Sequence, residues 1–262
     1  MDKDFSRQIW VTVAAALCII GTLLGFGIIG TPVEDSSSGA FSADATLLAP
    51  AGTAFSIWSV IYVGLLAYVI WQWLPTNRTS EIARATGLLA GTSMVLNAAW
   101  ILVTQWGWVW VSVVVIFALA IVLGLLVALL QGIGHRSIAE RIVVDGTFGL
   151  YLGWVTIASV ANVAAATVSS GIEAGELASQ WIAAATLVAA ALLGLYFFKR
   201  LGGRFAVAIA LAWGIAWIAV GRLSDTPYSI VVGVTAILAA LVVISGVFWF
   251  RQRETSPAPA VL

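Results

Sequence analysis

Charge is scarce in this chain, and its placement excludes more than its amount. Only 9% of the 262 residues are Asp, Glu, Lys or Arg, and none falls inside eight long apolar runs. Lysine occurs twice, at Lys3 and Lys199, both outside the runs, which excludes a retinal Schiff base within them. Histidine occurs once, at His135 beside Arg136, a poor position for ligating haem iron. Cysteine also occurs once, at Cys18 inside the first run, so no intrachain disulfide forms. No His/Cys/Asp/Glu cluster has metal-ligand spacing, and no nucleophile–base–acid set is visible, so neither metal nor catalytic residues are expected. Intramembrane acids usually mark ion or proton pathways; their absence leaves ion-coupled transport little to work with. The formal net charge is zero and no basic patch stands out, which argues against nucleic acid as a partner. No run has an interior proline, and no pair of Pro-broken runs marks the inverted halves of a transporter.

What is present is hydrophobicity: 61% of residues are apolar. About 20 consecutive apolar residues cross a bilayer as a helix, the form that satisfies its own backbone hydrogen bonds in lipid. Eight spans are expected: Ile9–Gly30, Thr53–Trp73, Ala85–Gln105, Trp108–Gln131, Gly146–Ser169, Gln180–Phe198, Phe205–Gly221 and Tyr228–Phe250. The first, at 22 residues, is too long for the apolar region of a signal peptide and reads as a helix. Eleven of the twelve basic residues fall on one side of this eight-span pattern and only Arg222 on the other. Basic residues favour the cytoplasmic side, so both termini are expected there. Connections are short except Thr31–Gly52, which opens polar and acidic and turns apolar at Leu47, Leu48 and Pro50. A loop of that length is either a solvated connector or a lid, and its apolar half can fold back over the bundle.

Tryptophan is the other abundance, with thirteen residues. Eight lie near span ends, at Trp10, Trp71, Trp73, Trp106, Trp108, Trp110, Trp181 and Trp249, and most of these fit an interfacial belt. Trp58, Trp100, Trp154, Trp213 and Trp217 lie deeper. Phe55, Trp58 and Tyr62 share a face of the second helix by their spacing, as do Asn97 and Trp100 on the third. Tyr151, Trp154, Ala158 and Asn162 share a face of the fifth. With about 1.5 Å of rise per residue, these groups reach one level some 8–12 Å in from the loop side. Buried asparagine needs a partner in lipid. Two readings stand open: the asparagines bond each other or nearby backbone and pin helices, or they join an aromatic ligand pocket.

The segment PAGTAFSIWSVIYVGLLAYVIWQ (50–72) resembles the second helix of the TspO, or tryptophan-rich sensory protein, family, with its pattern on Pro50, Phe55, Trp58 and Tyr62. LNAAW (96–100) is similar to the family's third-helix Leu-Asn-x-x-Trp, on Asn97 and Trp100. LYLGWVTIASVANV (150–163) resembles its fifth-helix pattern, on Tyr151, Trp154 and Asn162, with Leu150 where the family has proline. The resemblance covers about residues 9–170. It implies a porphyrin, haem-type or other flat hydrophobic ligand held between the helices under the first loop by these nine residues. It also implies a homodimer, and no required cofactor.

The expected fold is therefore all-α: a polytopic membrane bundle of about eight transmembrane helices. Residues 1–170 form a TspO-like five-helix domain, 171–250 add three helices, and 251–262 form a disordered cytoplasmic tail. The expected role is ligand binding and sensing in the cell inner (cytoplasmic) membrane, with lipid and a small hydrophobic ligand as partners and no enzymatic turnover. A transporter or permease is the alternative, and a partner-binding subunit without a ligand is the third reading.

Overall fold

The computed structural model describes residues 2–134, 137–172 and 174–255. The readings on His135, Arg136, Glu173 and the tail from Ser256 lie outside them. Among the described residues the secondary structure is helical, without strands, and eight helices are long and apolar enough to cross a membrane.

These are α1 (Lys3–Gly25), α2 (Ile57–Trp73), α3 (Glu81–Gln105), α4 (Val109–Leu129), α5 (Thr147–Ser169), α6 (Glu176–Leu201), α7 (Phe205–Ser224) and α8 (Ile230–Thr255). A tight turn, Gly52–Ser56, leads into α2, and a wide turn, Arg141–Gly146, leads into α5. Several helices begin before the expected apolar runs because polar groups at the membrane edge find partners. Asp2 accepts from the Asp4 N–H and caps α1, satisfying one of the N–H groups that a helix start leaves open. Asp4 is then paired with Arg7 at 2.7 Å and Arg84 at 2.6 Å, so the charges preceding Ile9 continue the helix. Ser80 caps α3 in the same way. The seventh helix reaches Ser224, three residues past the expected end, and so includes Arg222.

Around a ring, α1, α2, α5, α4 and α3 are neighbours in that order; α7 packs on the far side of α5, α8 on α7, and α6 on α8. Glycines set the tightest approaches. A Cβ on Gly21 would lie 3.0 Å from the Ala98 backbone, and one on Gly153 would lie 2.3 Å from the Val207 carbonyl oxygen. Gly87 and Gly91 receive Arg7 and Trp10 from α1. The glycine pairs spaced four apart, Gly21/Gly25, Gly87/Gly91 and Gly149/Gly153, thus serve helix packing within this chain.

The long loop folds over the ring. Leu48, Ala49 and Pro50 are buried. Its first half is tied to α3: the Ser37 hydroxyl donates to the Thr104 carbonyl at 2.7 Å, and the Gln105 amide donates to the Thr31 carbonyl at 2.8 Å. Seven of the eight end-placed tryptophans are at least one-third exposed, as a belt requires. Trp71 differs: it is 5% exposed and stacks on Tyr68 at 5.8 Å. Proximity to a helix end does not reveal which side of the helix faces inward.

Candidate functional site

The faces of α2 and α5 meet through rings at the loop end of the bundle. Trp58 stacks on Tyr62, with centroids 5.2 Å apart and planes 15° apart. It meets the edges of Tyr151 at 5.8 Å and Trp154 at 6.2 Å. Phe55 lies edge-on to Trp154 at 5.7 Å. Edge-to-face and offset geometries suit the ring quadrupoles. They also keep the two backbones apart. Toward the other face the helices converge: a Cβ on Gly64 of α2 would fall 2.4 Å from the Thr147 hydroxyl of α5.

Two adjoining cavities occupy this region. One, of about 200 Å³, is lined by Thr22, Gly25 and Phe26 of the α1 end, by Pro32, Val33 and Glu34 of the loop, and by Phe55, Trp58, Tyr62, Trp100 and Ile101. The other, of about 50 Å³, lies against Phe41, Thr46, Ala49 and Pro50 of the loop and Trp154, Ala158 and Asn162 of α5. Phe55, Trp100 and Val33 line both and form the partition. Of the nine residues singled out from the sequence, Pro50, Phe55, Trp58, Tyr62, Trp100, Trp154 and Asn162 line a cavity. Asn97 and Tyr151 stand behind the walls. Tyr151 is fully buried, and its hydroxyl donates to the Ser93 carbonyl at 3.3 Å.

The asparagines do not bond each other. Asn162 accepts from the Trp100 indole N–H at 2.7 Å and donates to the Ser112 hydroxyl at 2.9 Å. That chain joins α3, α5 and α4 and fixes the partition ring Trp100. Asn97 donates to the Tyr62 hydroxyl at 3.1 Å and lies 3.5 Å from the Cys18 sulfur, which orients Tyr62 under Trp58. The buried Asn97 carbonyl oxygen and the Trp154 indole nitrogen have no hydrogen-bond partner among the described residues. No group of three or more His, Cys, Asp or Glu able to hold a metal occurs among the described residues.

Helical periodicity does not point to three further participants. Phe26 lies edge-on to Tyr62 at 6.3 Å, and Phe41 edge-on to Trp100 at 5.8 Å. Both sit outside regular helix, where periodicity carries no information. The third is Arg222, the one basic residue on the loop side. It is fully buried and donates to the carbonyls of Thr46 and Ala43 at 2.8 Å each and of Thr226 at 3.2 Å. From the same helix, the Trp217 carbonyl accepts from the Ala51 N–H at 3.1 Å, and the Trp213 indole donates to the Ala54 carbonyl at 3.0 Å. Helix α7 therefore holds the loop segment that walls the smaller cavity, while Trp213 and Trp217 themselves line neither cavity. On the same loop, the Ser42 hydroxyl donating to Asp44 holds its carboxyl below the ordinary carboxylate range.

Together these features define a class: a multi-pass helical membrane protein with an aromatic-walled pocket enclosed under a long interhelical loop. Within that class, the family model described as TSPO-like protein matches residues 8–249, and the chain belongs to that family. The match runs through α6–α8, beyond the five helices that carry the motif resemblance. Neither the curated proteins nor the solved structures contain a match to this chain.

Proposed function

We propose that this protein binds and senses a flat hydrophobic ligand, such as a tetrapyrrole, without chemical turnover. The observation that supports this most is the pair of adjoining cavities walled by Phe55, Trp58, Trp100 and Trp154 beneath a loop tied down on both sides. An apolar cleft with a few placed polar groups is the usual makeup of a small-molecule site. At about 200 and 50 Å³, the cavities are smaller than the roughly 300–1,000 Å³ of drug-sized pockets. A porphyrin therefore enters by displacing the Phe55–Trp100 partition or lifting the loop, and that motion is a means of signalling occupancy. Among the described residues, the lining holds no His, Cys or Lys, which favours binding over catalysis.

Titration of the purified protein with a metal-free porphyrin tests the reading. Saturable quenching of tryptophan fluorescence supports it, and quenching that rises linearly, as it does with empty lipid discs, rejects it. We place the protein in the inner membrane with both termini in the cytoplasm, on the asymmetry of its basic residues. Cysteines substituted at Asp44, on the loop, and at Thr79, on the opposite face, report this: an impermeant thiol reagent labels only the first in intact cells. The reverse pattern inverts the orientation.

A further inference from the structure

We propose that Glu34 selects the ligand class of this pocket: flat aromatic molecules that turn a cation or a hydrogen-bond donor toward the loop, and not those that turn a carboxylate there. This rests on the pocket reading above and adds the sign of the ligand's polar end.

The argument begins with which charges reach the cavities. Among the described residues, Glu34 is the one formally charged residue lining either of them. It sits on a short turn, Val33–Asp35, at the loop end of the larger cavity. Among the described residues its carboxylate has no ion-pair partner. The basic residue that is near in the fold, Arg222, lines neither cavity, and its N–H groups are directed to the carbonyls of Thr46, Ala43 and Thr226. Nothing positive is therefore placed to receive a ligand carboxylate.

The surroundings point the same way. Asp35 and Asp44 lie on the same loop, so the approach to the pocket is acidic, and a field of one sign steers ligands before contact. Below Glu34, the stacked rings of Trp58 and Tyr62 form the wall. A carboxylate at the mouth over an aromatic wall makes a site for a flat body with a cationic or donor-bearing edge. Glu34 is exposed at this mouth, and charge pairs near a protein surface still interact more strongly than in bulk water, so one carboxylate biases which end of the ligand turns to the loop.

The test uses three ligands on one scaffold: a metal-free porphyrin diacid, its dimethyl ester, and its bis(aminoethyl) amide. Each is titrated into full-length protein in zwitterionic lipid discs, with empty discs subtracted, and read by tryptophan quenching. The amine is expected to bind about tenfold more tightly than the diacid, with the ester between them. Glu34→Gln is expected to shrink that ratio to about twofold by weakening the amine and strengthening the diacid. Asp35→Asn, which alters a carboxylate outside the cavity lining, should leave the ratio nearly unchanged. The proposal is overturned if the diacid binds as tightly as the amine, if Glu34→Gln leaves the ratio unchanged, or if Asp35→Asn moves it as far. If the ester binds saturably with no charge preference, the pocket reading stands and only the selection by Glu34 fails. If none of the three binds saturably, the pocket reading itself fails.

Discussion

Helix α5 has two faces, and they meet their neighbours in opposite ways. Toward α7 it presents Gly149 and Gly153, against which Ala206, Val207 and Ala210 press so closely that any added Cβ would collide with backbone or methyl. Toward α2 it presents Tyr151 and Trp154, which meet Phe55 and Trp58 ring to ring at centroid distances of 5.7–6.2 Å. The first contact is sealed, and the second is flanked by cavities, one beside Trp58 and Tyr62 and one beside Trp154 and Asn162. The same helix thus serves as a weld on one side and a pocket wall on the other. In lipid, where apolar side chains gain little by leaving the solvent, close packing is the main attraction between helices. Large rings with fixed geometry cannot interdigitate as glycine and alanine do, and the remaining space becomes a site.

Substitutions can break this contrast, beginning with the weld. Gly153→Leu should cost more than about 3 kcal/mol, the upper end of overpacking, because the obstacle is the Val207 backbone rather than a mobile side chain. The expected result is loss of monodisperse protein in size-exclusion chromatography; a protein with wild-type thermal stability would mean the α5–α7 contact is looser than described. Next is the strap between the two regions. Arg222→Leu removes charge-assisted hydrogen bonds to the Thr46 and Ala43 carbonyls and should destabilise by about 2–3 kcal/mol. Hydrogen exchange should rise in residues 43–51 while α3 and α4 stay protected. Unchanged loop protection would show that Trp213, Trp217 and α3 hold the loop without it.

Smaller effects are expected within the pocket walls. Asn162→Ala strands the Trp100 indole N–H, while the Ser112 hydroxyl keeps its bond to the Val109 carbonyl, and should cost about 1–2 kcal/mol of thermal stability. Trp58→Leu or Trp154→Leu should weaken porphyrin binding about tenfold, or 1.4 kcal/mol. Trp249→Leu, on an exposed position at the far end of α8, should leave binding as it was. Equal binding by all three variants would reassign the deep tryptophans to packing. The smallest change is expected for Asn97→Leu, below about 1 kcal/mol, because the buried Asn97 carbonyl oxygen already lacks a partner and its removal recovers that cost. A loss as large as that of Asn162→Ala, measured in the same melting experiment, would show that its bond to Tyr62 matters more than the geometry indicates.

Much of this architecture is legible in the residue order. A bilayer imposes one rule, apolar side chains on self-satisfied helices, and charge-free runs of the right length report it directly. The eight spans follow, with edges displaced where caps and ion pairs such as Asp4 with Arg7 and Arg84 extend a helix past its apolar run. Fixed helical periodicity likewise places Phe55, Trp58 and Tyr62 on one face, Asn97 and Trp100 on another, and Tyr151, Trp154 and Asn162 on a third, and those faces do converge. What tertiary structure alone decided is which groups bond and which remain open. Residues 43–54 and 213–222 lie more than 150 positions apart, yet α7 fastens the loop that walls the pocket. Arg222, isolated in the charge pattern, is buried at that junction. Asn162 chose Trp100 and Ser112 rather than Asn97, and Trp71 turned inward from the belt. Periodicity relates residues along a single helix; pairing between helices depends on their rotation, spacing and crossing, which depend in turn on every other contact in the bundle.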